Sequence, residues 1–132
     1  MKDKIDNLYQ LYPYLFYNDS VINISDGWKT IVKDLIVAID AIESLDTKNP
    51  DIKPTIFHKI ETKQGWLNIE YQGGDELIGE IVRYSTVLSF KTCELCGKMG
   101  TLYCSDKYMH WSDKKTLCLS HAIKLYYYSM TK

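Results

Sequence analysis

The chain predicts an α+β fold: one long amphipathic helix, a β-hairpin and a second helix, packed with a small C-terminal module built around paired cysteines. Three observations predict it. Apolar residues recur at three- and four-residue steps after Gly27, two runs of alternating apolar and polar residues follow, and Cys-x-x-Cys and Cys-x-x-His pairs lie near the end. The expected organisation is an α+β body over residues 1–90 and a metal-binding module over residues 91–132, together one compact unit.

Residues 3–17 open with a helical pattern (Ile5, Leu8, Tyr9, Tyr12) that Pro13 ends, because proline lacks an N–H and its ring clashes with the preceding turn. The aromatic run over residues 14–18 is expected to pack over the body. Ser25-Asp26-Gly27 reads as a helix start, with Ser25 or Asp26 as the cap. Trp28, Ile31, Val32, Leu35, Ile39, Ile42 and Leu45 then line one face of a helix of about 20 residues, with Lys29, Lys33, Asp40 and Glu43 towards water.

Asn, Asp and two prolines mark residues 47–54 as a loop. Beyond it, Ile56, His58 and Ile60 oppose Phe57, Lys59 and Glu61. In the next run Trp66, Asn68 and Glu70 oppose Leu67, Ile69 and Tyr71. Lys63-Gln64-Gly65 joins the runs into a hairpin, with Gly65 supplying a positive φ, and His58 is read as structural. Gly73-Gly74-Asp75 closes the second strand and opens a helix with Leu77, Ile81, Tyr84 and Val87 or Leu88 on its buried face. Asp75, Glu76 and Glu80 complement that helix's dipole.

Cys93 and Cys96 are separated from Cys118 and His121 by 21 residues. Each pair has two residues between its members, so both side chains can reach one ion within a single turn. Two such pincers satisfy a tetrahedral Zn²⁺. Gly97 lets the backbone turn back after Cys96, as in a zinc knuckle. The segment between the pairs reads as a small hairpin, and residues 119–130 as a helix with Cys118 and His121 one turn apart at its start. Knuckle, hairpin and ligand-bearing helix are the order of a treble-clef zinc finger. Cys104 and His110 compete for the fourth position. The alternatives to metal are buried free cysteines or, in a secreted protein, disulfides.

Four good ligands close a zinc shell, so the ion reads as structural; a catalytic zinc keeps a position open for water. The deaminase pattern is absent, and the paired histidine and asparagine of an HNH nuclease are missing, although His110 lies in the relevant region. No phosphate loop or nucleophile motif occurs. Composition is ordinary, 45% hydrophobic and 25% charged, but charge is uneven: residues 1–90 carry net −5 and residues 91–132 net +4. The N-terminus lacks a signal-peptide core and no stretch is apolar enough for a membrane span, so a cytoplasmic protein is expected. The basic tail offers a nucleic-acid surface in Tyr103, Lys107, Tyr108, Trp111, Lys114, Lys115 and Lys124. Eleven tyrosines, too many to face inward together, offer a protein interface instead.

The segments GWKTIVKDL (27–35), FHKIETKQGWLNIEY (57–71) and STVLSFKTCELCGKMG…W…KKTLCLSHA (85–122) together resemble a family of small uncharacterised proteins encoded by phages and prophages. That family reads Gly-Trp, a helix, a strand pair around a Phe-Gly turn, then Cys-x-x-Cys-Gly…Trp…Leu-Cys-x-x-His. Here Gln64 precedes the glycine where the family has an aromatic residue, and acidic Glu70 falls near a basic position. The resemblance covers most of residues 27–122 and implies a phage-derived cytoplasmic protein with no reaction attached. The function then expected is non-enzymatic binding of a host protein, such as a defence protein that it inhibits. Nucleic-acid binding is the alternative, and a zinc-dependent nuclease the third.

Overall fold

A computed structural model describes residues 8–45, 50–105 and 113–129. Ile5, Lys107, Tyr108, His110 and Trp111 from the sequence reading lie outside the described residues. Residues 8–11 are helical and Pro13–Leu15 form a 3₁₀ turn, so proline ends this first segment. The elements that follow are β1 (Phe16–Asn23), α1 (Lys29–Glu43), β2 (Ile56–Lys63), β3 (Trp66–Gln72), α2 (Glu76–Ser89), β4 (Thr101–Cys104), β5 (Lys114–Leu117), α3 (Leu119–Lys124) and β6 (Tyr128–Ser129). The chain is α+β, with two small sheets.

The first sheet has the order β1-β2-β3, with β1 parallel to β2 and β3 antiparallel to it. Strand β1 is an addition to the expected hairpin. Parallel neighbours need a crossover between them, and α1 is part of that connection. The hairpin itself turns on Gln64 and Gly65, both at positive φ (49° and 89°), as a two-residue turn of primed type requires.

Strand β2 departs from strict alternation. Phe57 pairs with Tyr71 and Lys59 with Glu70, so two steps on β2 oppose one on β3. The bulge resets the side-chain parity, and Phe57 and Ile60, three apart, are both fully buried. His58 sits in the bulge, exposed, beside the Tyr17 ring and within 3.0 Å of Gln72 Oε1.

Helix α1 is shorter than expected. A 3₁₀ turn over Asp26–Trp28 precedes it, and Ser25, at the N-cap of that turn, makes no side-chain cap bond. Asp26 pairs with Lys29 at 2.9 Å, and the hydrogen bond from that ammonium lowers the Asp26 pKa. Trp28, Ile31, Val32, Leu35, Ile36 and Ile39 are buried, but Leu45, beyond the helix end, is exposed. In α2 the expected face is correct only in part: Ile81 and Leu88 pack against the core as expected, but Leu77, Tyr84 and Val87 are exposed, while Ile78, Val82, Ser85 and Ser89 face inward. Asp75 caps this helix, accepting from the Ile78 N–H at 3.1 Å. Ser89 earns its buried place by accepting the Leu67 N–H at 3.0 Å and donating to Thr86 O at 2.5 Å. One apolar cluster joins Leu8 and Leu15 to α1, the hairpin and α2.

The second sheet has the order β5-β4-β6, antiparallel throughout. The helix expected over residues 119–130 stops at Lys124, because Tyr126 turns left-handed (φ 59°) and sends the chain back along β4. Tyr127 consequently reaches the small core of Cys93, Leu117 and Ala122.

The two regions meet through named hydrogen bonds. Trp28 Nε1 donates to Thr92 O at 2.8 Å, the Gly27 N–H to Glu94 O at 2.7 Å, and Thr116 Oγ1 to Gly65 O at 2.6 Å.

Candidate metal centre

The knuckle starts where α2 ends. Thr92 and Met99 form an isolated antiparallel bridge, which folds the residues between them into a tight turn. Within it the Cys93 N–H donates to Lys98 O at 2.6 Å and the Gly97 N–H to Cys93 O at 2.9 Å. Gly97 takes φ 82°, a conformation side chains rarely adopt, and this reversal directs the chain back after Cys96. On the other side Cys118 is the N-cap residue of α3 and His121 lies in its first turn.

These two fragments bring four side chains together. Cys93 Sγ is 3.5 Å and Cys118 Sγ 3.3 Å from His121 Nδ1, and Cys96 Sγ is 3.8 Å from Cys118 Sγ. All four ligand atoms lie within 4.8 Å of one another. For a tetrahedral ion with metal–sulfur bonds of about 2.3 Å and metal–nitrogen bonds of about 2.05 Å, sulfur–sulfur edges are about 3.8 Å and sulfur–nitrogen edges about 3.5 Å. The cluster has the dimensions to hold one metal ion. None of the four cysteines is in a disulfide. Nor does burial as core residues account for them, since Cys96 is exposed and Cys118 only partly buried.

Electrostatics distinguish the ligands. The His121 backbone N–H, with the His121 ring and the neighbouring thiols adding to it against burial, lowers Cys118 to about 6. At Cys96 the Lys98 backbone lowers the pKa, but desolvation and the Cys93 and Cys118 thiols outweigh it, and the net shift is upward.

Of the competing ligands, Cys104 is buried at the end of β4 with its Sγ 3.6 Å from Tyr128 O, outside the cluster. His110 lies outside the described residues. The proposed nucleic-acid surface is only partly present among the described residues. Lys124 is exposed, but Tyr103 packs half-buried against the module core. Lys115 Nζ lies 3.7 Å from Glu94 Oε1 and 3.5 Å from Asp113 Oδ2, and the Lys114 N–H donates to Gln64 Oε1.

Sequence reasoning missed Glu94, which lies between the first two ligands and is 1% exposed. Its Oε2 accepts the Thr116 N–H at 3.1 Å and its Oε1 the Ser25 hydroxyl at 3.3 Å. Burial raises its pKa, against the lowering effects of the Thr116 N–H, Lys115 and Ser25. Gly27 was also missed as a contact point. A Cβ there would lie 2.6 Å from Glu94 C and closer still to Cys93 O. The only sequence signal for either was their adjacency to Trp28 and to the cysteines.

Among the described residues no helix is long and apolar enough to cross a membrane. Compared with known proteins, the chain matches no family model, no curated protein and no solved structure.

Proposed function

We propose that this chain is a non-enzymatic, zinc-organised accessory protein of phage origin that acts by binding a protein of the host cell and inhibiting it. The carrying observation is the closed donor set: three sulfurs and one imidazole nitrogen within 4.8 Å of one another. Soft thiolates with one imidazole suit Zn²⁺, and four protein ligands leave it no open position for water. Such an ion would organise the module. In zinc fingers binding contributes on the order of 10 kcal/mol to folding, a large term beside a core as small as Cys93, Leu117 and Ala122.

A protein partner is favoured over nucleic acid by two contacts. Lys115 is engaged by two carboxylates and Tyr103 is packed inward, which leaves the phosphate-and-stacking surface short of two members. The test couples metal analysis with capture. Purified protein should hold one zinc per chain, and the tagged, zinc-loaded chain should recover a stoichiometric protein from host lysate. Absence of zinc, or recovery of nothing stoichiometric from several hosts, would overturn the reading.

A further inference from the structure

We infer that the apolar hollow beside the metal loop docks an acidic segment of a partner protein, one that inserts large apolar side chains. This rests on the proposed protein-binding function and names its surface and the partner's chemistry.

The hollow has a volume of about 280 Å³ and lies between Met99–Thr101 on one side and Leu117–Leu119 on the other. Met99 is 87% exposed, Leu119 67% and Ile123 64%. Leu119 and Ile123 are four apart on α3, so they share a face and extend the hollow into a ridge. Internal packing does not require them. Other positions on the helix already supply buried Ala122 to the module core and His121 to the metal cluster. Apolar groups that adjoin one another on a surface mark interaction sites more than scattered ones do.

Charge identifies the occupant. Lys98 and Lys124, next in sequence to Met99 and Ile123, are both exposed. Over the described part of the module five lysines stand against two acids, Glu94 and Asp113; a zinc–thiolate centre of charge −1, whose Cys118 borders the hollow, still leaves the described module net positive. Neither acid serves the hollow. Glu94 is buried, and Asp113 sits beyond the far end of β5, where it accepts from Tyr127 Oη at 2.6 Å and pairs with Lys115. An acidic segment with apolar anchors complements this surface in both respects. A second copy presenting the same face would bring lysines against lysines. A single-stranded nucleic acid would need exposed aromatic platforms, whereas the one aromatic residue lining the hollow is the half-buried Tyr103, beside Met99, Leu117, Cys118 and Leu119.

The zinc-loaded full chain should be panned against a displayed random-peptide library. Enriched sequences are expected to be net acidic and to carry at least two large apolar residues. A synthetic peptide of the top sequence should lose about tenfold or more in affinity to Leu119→Glu or Ile123→Glu chain, with zinc content unchanged. Neutral or basic enriched sequences, no enrichment, or indifference to both substitutions would overturn the inference. So would oligothymidylate binding that both substitutions abolish, in favour of nucleic acid. A host partner captured equally well by the Ile123→Glu chain removes this surface but leaves the proposed function standing, whereas capture of no host protein removes the function itself.

Discussion

Replacing Gly27 with alanine adds one methyl group at the place where the body meets the metal loop. The new Cβ would lie 2.6 Å from Glu94 C and 2.8 Å from Glu94 O, with Cys93 O nearer still. These are backbone atoms, and they belong to a turn fixed by the Cys93 and Gly97 N–H bonds. Ordinary contact requires the knuckle to retreat by about 1 Å or more. That retreat stretches the 2.7 Å bond from Gly27 N–H to Glu94 O and the 2.8 Å bond from Trp28 Nε1 to Thr92 O. Each contributes about 1 kcal/mol net when made and costs more when a buried partner is left unpaired, so a loss of about 3 kcal/mol is expected. Gly79 is the control. A Cβ there meets only Tyr71 Oη at 3.5 Å, and it lies inside α2. Gly79→Ala should stabilise by about 0.5–1 kcal/mol through helix propensity. Urea unfolding of the zinc-loaded proteins measures both. A Gly27→Ala loss below about 1 kcal/mol would refute the close docking of body and knuckle.

Two further outcomes follow from the metal cluster. Chelation by EDTA should remove the ordered signals of residues 91–105 and 113–129 in amide NMR spectra while α1 and the hairpin persist; retention of the whole spectrum would contradict a zinc-organised module. Cys104→Ala should keep one zinc per chain, because its sulfur lies outside the cluster; loss of zinc would make it a ligand.

The parts of this fold set by local chemistry could be read in the chain. Gln64-Gly65 specifies its turn through φ alone, and the Cys-x-x-Cys-Gly and Cys-x-x-His spacings bring together the side chains that the structure clusters. The misreadings each involve a partner distant in sequence. Strand β1 pairs with β2 across a register shift between Phe16 and Val21, so its apolar residues show no simple alternation. On α2 the sequence pattern places Ile81 and Leu88 correctly but misses the rest of the face, because the positions facing the body include Ser85 and Ser89. Serine reads as solvent-facing until the Leu67 N–H that Ser89 accepts is known. Likewise nothing local at Tyr126 announces that the last helix stops there; the pairing of β6 with β4 decides it.

Glu94 carries the coupling between metal loop and body, and its two substitutions separate the contributions. Its backbone oxygen takes the Gly27 N–H, while its side chain takes the Thr116 N–H and the Ser25 hydroxyl. Alanine strands the buried Thr116 N–H, costing about 1–3 kcal/mol, and leaves a void besides. Glutamine keeps a carbonyl oxygen for Thr116 but loses the attraction to Lys115 Nζ at 3.7 Å. It also sheds a cost. The folded-state pKa of Glu94 is raised, so the penalty of holding its charge inside is absent at low pH and felt as pH rises through that value. At pH 7 the two changes oppose each other, and Glu94→Gln should lie much closer to the parent chain than Glu94→Ala does. Equal stability of all three zinc-loaded proteins would mean that this carboxylate joins nothing. Among the described residues, the module would then be held to the body by the hydrogen bonds of Trp28, Gly27, Thr116 and Lys114.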